Sequence, residues 1–243
     1  MTARAGHHGH PAGARYKAGD RGLATSLVNR ITAADFPWRP EENPGALVLF
    51  DSARTPDLNF LLRPPAVAAL DVGCKDPLGG LKTLPAHLLL RVTTATAMRH
   101  DVAGPLTDAL AARLPRLRGI TTSVRTALQE AIGNAVMHGN LALGSELRES
   151  IAGLAMMGRL MEQRAADPRY GRRPVTVAAR WDGTTLVLTV EDRGTGFRPP
   201  TSTKALPGPI ATSGRGLAEI RAHCSRVTFS TGGRRITMRF RLP

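Results

Sequence analysis

Three stretches of this sequence combine residue types and spacings that could do chemistry. In Glu130-Ala-Ile-Gly-Asn134-Ala-Val-Met-His138-Gly-Asn140, a carboxylate, a carboxamide and an imidazole recur every four residues. On a helix of 3.6 residues per turn they fall on one face, so an otherwise Ala/Val/Ile/Leu helix presents polar groups in a line. The alternative is the solvated edge of an amphipathic helix. In Val190-Glu191-Asp192-Arg193-Gly194-Thr195-Gly196-Phe197, an aspartate follows a strand and can accept a hydrogen bond from an exocyclic amine, while alternate glycines let backbone approach a ligand. Taken alone, this is also an ordinary turn. Ser213-Gly214-Arg215-Gly216-Leu217 leads into a helix, where unpaired N–H groups and the dipole favour a phosphate.

These stretches need elements to hold them. Val124, Leu128, Ile132 and Val136 with Ala127, Ala131 and Ala135 form one apolar stripe. The helix is therefore expected to run from a cap at Thr121, Thr122 or Ser123 to a stop at Gly139. Upstream, Leu88 to Val92 suits a strand. A helix follows from about Ala97 to Leu114, with Gly104-Pro105 either breaking its first turn or starting it afresh. Residues 145–166 read as a further helix. Val175 to Arg180 and Leu186 to Val190 form a hairpin about Trp181-Asp182-Gly183-Thr184. A loop spans 193–213, a helix starts near Gly216, and strands 226–230 and 236–242 meet at Gly232-Gly233. This order predicts an α/β fold, a two-layer sandwich with a mixed sheet over residues 86–243. Residues 23–85, with strands at Ala46–Phe50 and Ala66–Val72 among many prolines, read as a small α/β appendage. Residues 1–22 read as a disordered tail, whose His7, His8 and His10 lack acidic or cysteine partners for a metal.

Composition narrows the function. The 243 residues are 42% hydrophobic and 21% charged, enough apolar mass for a core. No apolar run nears the roughly 18 residues of a membrane span. The start MTARAGHHGHPAG has no secretory h-region, and Cys74 and Cys224 make no disulfide scaffold, so a cytoplasmic setting is expected. The net charge of +14 favours anionic partners. Only four of the 33 basic residues are lysine, however, which is the bias of a GC-rich coding genome. Aromatics are 4%, and no basic run is interleaved with stacking residues. Nucleic-acid binding is therefore the weaker expectation.

An Asn-bearing helix, a post-strand Asp-x-Gly-x-Gly and a glycine loop opening a helix, in that order, resemble the N, G1 and G2 boxes of the histidine-kinase-like ATPases with the Bergerat nucleotide fold. The Glu-x-x-x-Asn-x-x-x-His form and the short loop between the last two boxes are most similar to the anti-sigma serine kinases of partner-switching systems. The resemblance covers about residues 86–243 and implies ATP and Mg²⁺. Asn134 would then coordinate Mg²⁺, and Glu130 would be the general base. Asp192 would accept from the adenine amino group, with Gly194 and Gly196 letting the ring pass. Ser213, Gly214, Arg215, Gly216 and Leu217 would wrap the phosphates, and Thr237 would support the adenine–Asp192 network. His138 reads as an orienting or packing residue, and Lys204 as a solvated lid lysine. The chain departs from compact members by a helical insert at 141–172, which bears on partner choice.

The implied function is a bacterial signalling protein that binds ATP and Mg²⁺, a serine/threonine protein kinase that phosphorylates or sequesters a protein partner. That partner is a sigma-factor regulator or a response-regulator-type protein, with a homodimer left open. The alternatives are a non-catalytic nucleotide-binding adaptor and a histidine-kinase-related phosphotransfer partner in two-component signalling. Leu47 to Asp51 and Leu81 to Pro85 are faintly similar to a response-regulator receiver domain. The interval between Asp51 and Lys82 is short and no acidic pair precedes it, which implies a degenerate module without phosphorylation chemistry.

Overall fold

The computed structural model describes residues 15–16, 46–54, 57–81, 84–144, 151–196 and 215–243. The first elements are β1 (Arg15–Tyr16), β2 (Ala46–Phe50), a short helix α1 (Leu58–Leu61), β3 (Ala66–Asp71) and β4 (Leu88–Thr93). Helices α2 (Thr94–Arg99), α3 (Ala103–Arg113) and α4 (Thr121–Asn134) follow, then α5 (Ile151–Ala166) and α6 (Pro168–Gly171). The chain ends with β5 (Pro174–Trp181), β6 (Thr185–Glu191), α7 (Arg215–His223), β7 (Arg226–Ser230) and β8 (Arg235–Arg241). The strands form one mixed sheet in the order β1-β2-β3-β4-β5-β6-β8-β7. Pairing is parallel from β1 to β4 and antiparallel from β4 onward.

The sequence of β4, Leu-Leu-Leu-Arg-Val-Thr, is nearly all apolar because this strand is buried on both faces. Leu88, Leu90 and Val92 face the main core with Val175, Val177 and Ala179 of β5, Leu186, Leu188 and Val190 of β6, and Met238 and Phe240 of β8. The stripe of α4, with Leu106 and Leu110 of α3 and Ile220 of α7, closes that core. Leu89 points the other way, into a second cluster with Leu49, Ala68, Leu70, Leu81, Leu84, Ala86 and Ala178. Asp71, fully buried at the end of β3, accepts N–H groups from Ser52 (3.3 Å), Gly73 (2.9 Å) and Thr93 (3.1 Å), knitting the ends of β2, β3 and β4. No helix among the described residues is long and apolar enough to cross a membrane.

Over 97–114 the second of the two alternatives holds: the helix starts afresh at Gly104-Pro105, giving α2 and α3, because Asp101 Oδ1 accepts the Gly104 N–H at 2.9 Å and begins a new helix there. Two local expectations are corrected. No side chain caps α4. A 3₁₀ turn (Pro115–Ile120) runs straight into it, and the Thr121 hydroxyl donates back to the Leu117 carbonyl at 3.0 Å. Gly139 does not stop this helix either. Beyond Asn134 the helix widens into a π-helical turn, Ala135–Asn140, and ends with the Leu141 N–H on the Val136 carbonyl. The hairpin, α7 and the closing strands fall where the sequence puts them, whereas the tail histidines, Lys82 and residues 145–150 lie outside the described residues.

Candidate functional site

Burying the apolar stripe of α4 turns Glu130 and Asn134 to its other side, where both are half-buried. The first turn of α7 crosses this face. A Cβ added to Gly216 would lie 2.8 Å from Glu130 Oε2 and 3.3 Å from Asn134 Nδ2, so the glycine lets the start of α7 sit directly against these two side chains. Among the described residues, no side-chain hydrogen bond or ion pair engages Glu130 or Asn134. A carboxylate and a carboxamide without a partner among the described residues thus lie beside the amino end of a nine-residue helix whose first N–H groups have no intrahelical partner.

The π turn carries the second contact. A Cβ on Gly139 would overlap the Asp192 carboxylate, and one on Gly194 would overlap the Gly139 carbonyl. The exit of β6 is therefore pressed against α4's extension, backbone against backbone. Asp192 Oδ1 accepts the Gly194 N–H at 2.7 Å, and the Asp192 N–H donates to the Arg234 carbonyl at 3.0 Å. Asp192 is only 7% exposed, and burial pushes its carboxyl up to about 6 despite the lowering by that N–H and by Arg234. A buried carboxylate with one donor among the described residues has acceptor capacity left for a ligand N–H. Beside it, Glu191 is held by Arg235 Nε at 2.7 Å and lies 3.6 Å from Arg193.

The sequence-predicted residues are distributed as follows. Glu130, Asn134 and Gly216 meet, and Asp192 and Gly194 meet the same helix one turn on, at Gly139. Gly196, at φ 79°, approaches the Gly232 carbonyl, so its lack of Cβ is required by the protein's own backbone. Leu217 is half-buried and packs against the main core. Arg215 begins α7, while Ser213, Gly214, Phe197 and Lys204 lie outside the described residues. Thr237 is not brought to Asp192. It pairs with Thr189, their hydroxyl oxygens 3.4 Å apart, on the sheet face opposite the one that Ile236 and Met238 turn to the helices. Arg234 is the residue at this end of β8 that touches Asp192. His138 Nδ1 donates to the Leu143 carbonyl at 2.9 Å, an orienting contact.

Sequence reasoning missed the supports. Asn140 Oδ1 accepts the Arg193 N–H at 2.7 Å. From the 141–172 insert and its border, Arg164 donates to the Leu141 and Ala142 carbonyls and Arg173 donates to the Asn140 carbonyl at 2.7 Å. The Tyr170 ring carries three guanidinium groups, Arg164 at 5.3 Å, Arg169 at 5.9 Å and Arg173 at 4.8 Å. A separate cavity of about 300 Å³ lies between α1 and α3, lined by Asp57, His100, Asp101, Asp108 and Arg125, away from these residues.

The sequence model of the family described as histidine kinase-like ATPase domain matches residues 87–240. No curated protein matches the chain. The matched span runs from the residue before β4 into β8, takes in α4, the Asp192 turn and α7, and is more than half of the 243 residues. The chain therefore belongs to the histidine kinase-like ATPase domain family and carries that family's ATP-binding domain.

Proposed function

We propose that this protein is an ATP- and Mg²⁺-dependent serine/threonine protein kinase of the anti-sigma regulatory type, acting on a sigma-factor regulator or a response-regulator-type protein. The observation that carries the reading is the pair Glu130 and Asn134 beneath Gly216, whose side chains have no partner among the described residues, on the helix whose extension seats Asp192.

Asp192 reads the base by accepting from the exocyclic amino group of adenine. The phosphates lie toward the amino end of α7, where free backbone N–H groups suit anionic oxygens, with Ser213 to Leu217 as their loop. The Asn134 carboxamide oxygen fits Mg²⁺, a hard cation that takes one or two protein oxygens and completes its shell with phosphates and water. Bound there, Mg²⁺ supplies charge neutralisation at the phosphates. Glu130 takes the proton from the attacking serine or threonine hydroxyl. A new O–P bond then forms at the γ-phosphorus, the bond to the bridging oxygen breaks, and ADP leaves.

Incubation of the full chain with γ-labelled ATP and purified candidate partners tests this. The native protein is expected to label one partner. Glu130→Ala is expected to keep nucleotide affinity but lose transfer by about 10²–10⁴-fold. Equal transfer by Glu130→Ala removes that residue from the mechanism. ATP binding with no transfer to any partner selects the adaptor reading instead.

A further inference from the structure

Asn140 ends the π turn, is fully buried, and takes part in none of the steps above. Every polar corner of its carboxamide is engaged. Oδ1 accepts the Arg193 N–H at 2.7 Å, while Nδ2 donates to Thr94 Oγ1 at 2.8 Å and to the Pro174 carbonyl at 3.0 Å. Its main-chain carbonyl accepts Arg173 Nη1 at 2.7 Å. The orientation is dictated by the partners. A main-chain N–H only donates and a carbonyl only accepts, so the flipped amide would face donor with donor and acceptor with acceptor. One side chain thus ties the π turn to the starts of α2 and β5 and to the turn that follows β6.

The N–H that Asn140 holds belongs to the peptide unit leaving Asp192. With the Gly194 N–H on Oδ1 and the Asp192 N–H on the Arg234 carbonyl, it fixes the turn on three sides of the Asp192 Cα. Choosing an amino group over a carbonyl at the same ring position depends on the direction of the acceptor, because hydrogen bonds weaken steeply with misalignment. A turn that tilts loses selectivity before it loses contact. We infer that Asn140 is a positioning residue for base choice, which holds the Asp192 turn without touching nucleotide and whose loss relaxes the preference for adenine over guanine. This rests on the reading of Asp192 as the acceptor of the adenine amino group.

Isothermal titration with MgATP and MgGTP tests it on the full-length native chain, Asp192→Asn, Asn140→Ala and Asn140→Asp. The native protein is expected to prefer ATP and Asp192→Asn to lose the preference. Asn140→Ala is expected to lower it about tenfold, the equivalent of one buried hydrogen bond, with GTP affinity nearly unchanged. Asn140→Asp keeps an oxygen facing the Arg193 N–H and is expected to restore part of the preference. A preference unchanged in Asn140→Ala, or equal losses for both nucleotides, overturns the inference. If the native protein shows no preference, or Asp192→Asn keeps it, the Asp192 reading fails in chains that retain Asn140, and the inference falls with it. Should Asn140→Ala not fold, Thr94→Val serves, since it removes an acceptor that orients Nδ2; an unchanged preference there also overturns the inference.

Discussion

At neutral pH the buried charge of Asp192 is expected to work against the fold that carries it. Burial raises its carboxyl from the ordinary 3.8 to about 6, so the folded chain binds this proton more tightly than the unfolded one. Stability from this group is therefore greatest below about pH 4 and declines as pH rises through about 6, the reverse of a salt-bridged carboxylate. A rise of about two units corresponds to about 3 kcal/mol. Asp192→Asn is expected to be more stable at pH 7 by up to that amount and to lose the slope between pH 4 and 6 in thermal unfolding. A less stable variant with the slope intact contradicts the assignment. Glycines give a second check at this scale. Gly139→Ala and Gly194→Ala force overlap with Asp192 and with Gly139, and are expected to destabilise by about 1–3 kcal/mol in denaturant titration. Gly183→Ala, with nothing within 4 Å of the added Cβ, is the control expected to stay near native.

Among the elements, α4 is the axis of the site, since its stripe anchors it in the core and its other side and extension carry Glu130, Asn134 and Gly139. Leu128, fully buried in that stripe, is expected to cost about 2–5 kcal/mol on replacement by alanine. Removing the hold of Arg173, at the insert's border, on the π turn with Arg173→Ala is expected to cost about 1.5–3 kcal/mol, read as a lower denaturation midpoint, and to weaken ATP binding. The stripe, the hairpin and the start of α7 were legible because period and turn chemistry are local. The π turn was not, because Gly139 carries an ordinary helix-stop signal, and it is the remote Asp192 carboxylate, which a Cβ there would overlap, that accounts for the glycine. Thr237 was assigned by likeness alone, although the alternation Ile236, Met238, Phe240 already turns it to the opposite face. Asn140 gave no signal of its own, because its partners Thr94, Pro174 and Arg193 are remote in sequence and nothing local brings them together.

At the scale of the molecule, β2 and β3 do not stand apart from the nucleotide domain, since they continue its sheet in parallel. The segment after β3 covers the second apolar cluster and is bound to the sheet by arginines. Buried Arg91, lowered to about 10 by desolvation, donates to the Asp76 and Pro77 carbonyls and to Thr176, and Arg172 donates to the Gly73 carbonyl at 2.8 Å. Arg193, the residue after Asp192, donates to the Gly79 carbonyl at 2.6 Å. A chain cut to residues 86–243 leaves Leu89 and Ala178 bare and β4 as an open edge, so it is expected to bind a hydrophobic dye and aggregate. A soluble, monodisperse fragment contradicts that. Under the proposed function, the Glu130–Asn134 face, the Asp192 turn and the start of α7 close around one ATP. A crystal structure of the full chain with Mg²⁺ and the imido analogue of ATP tests it most directly. The expected result is the adenine amino group within hydrogen-bond distance of Asp192, with the phosphates between Asn134 and α7. A nucleotide in the cavity between α1 and α3, or at Asn134 with its base turned away from Asp192, contradicts it.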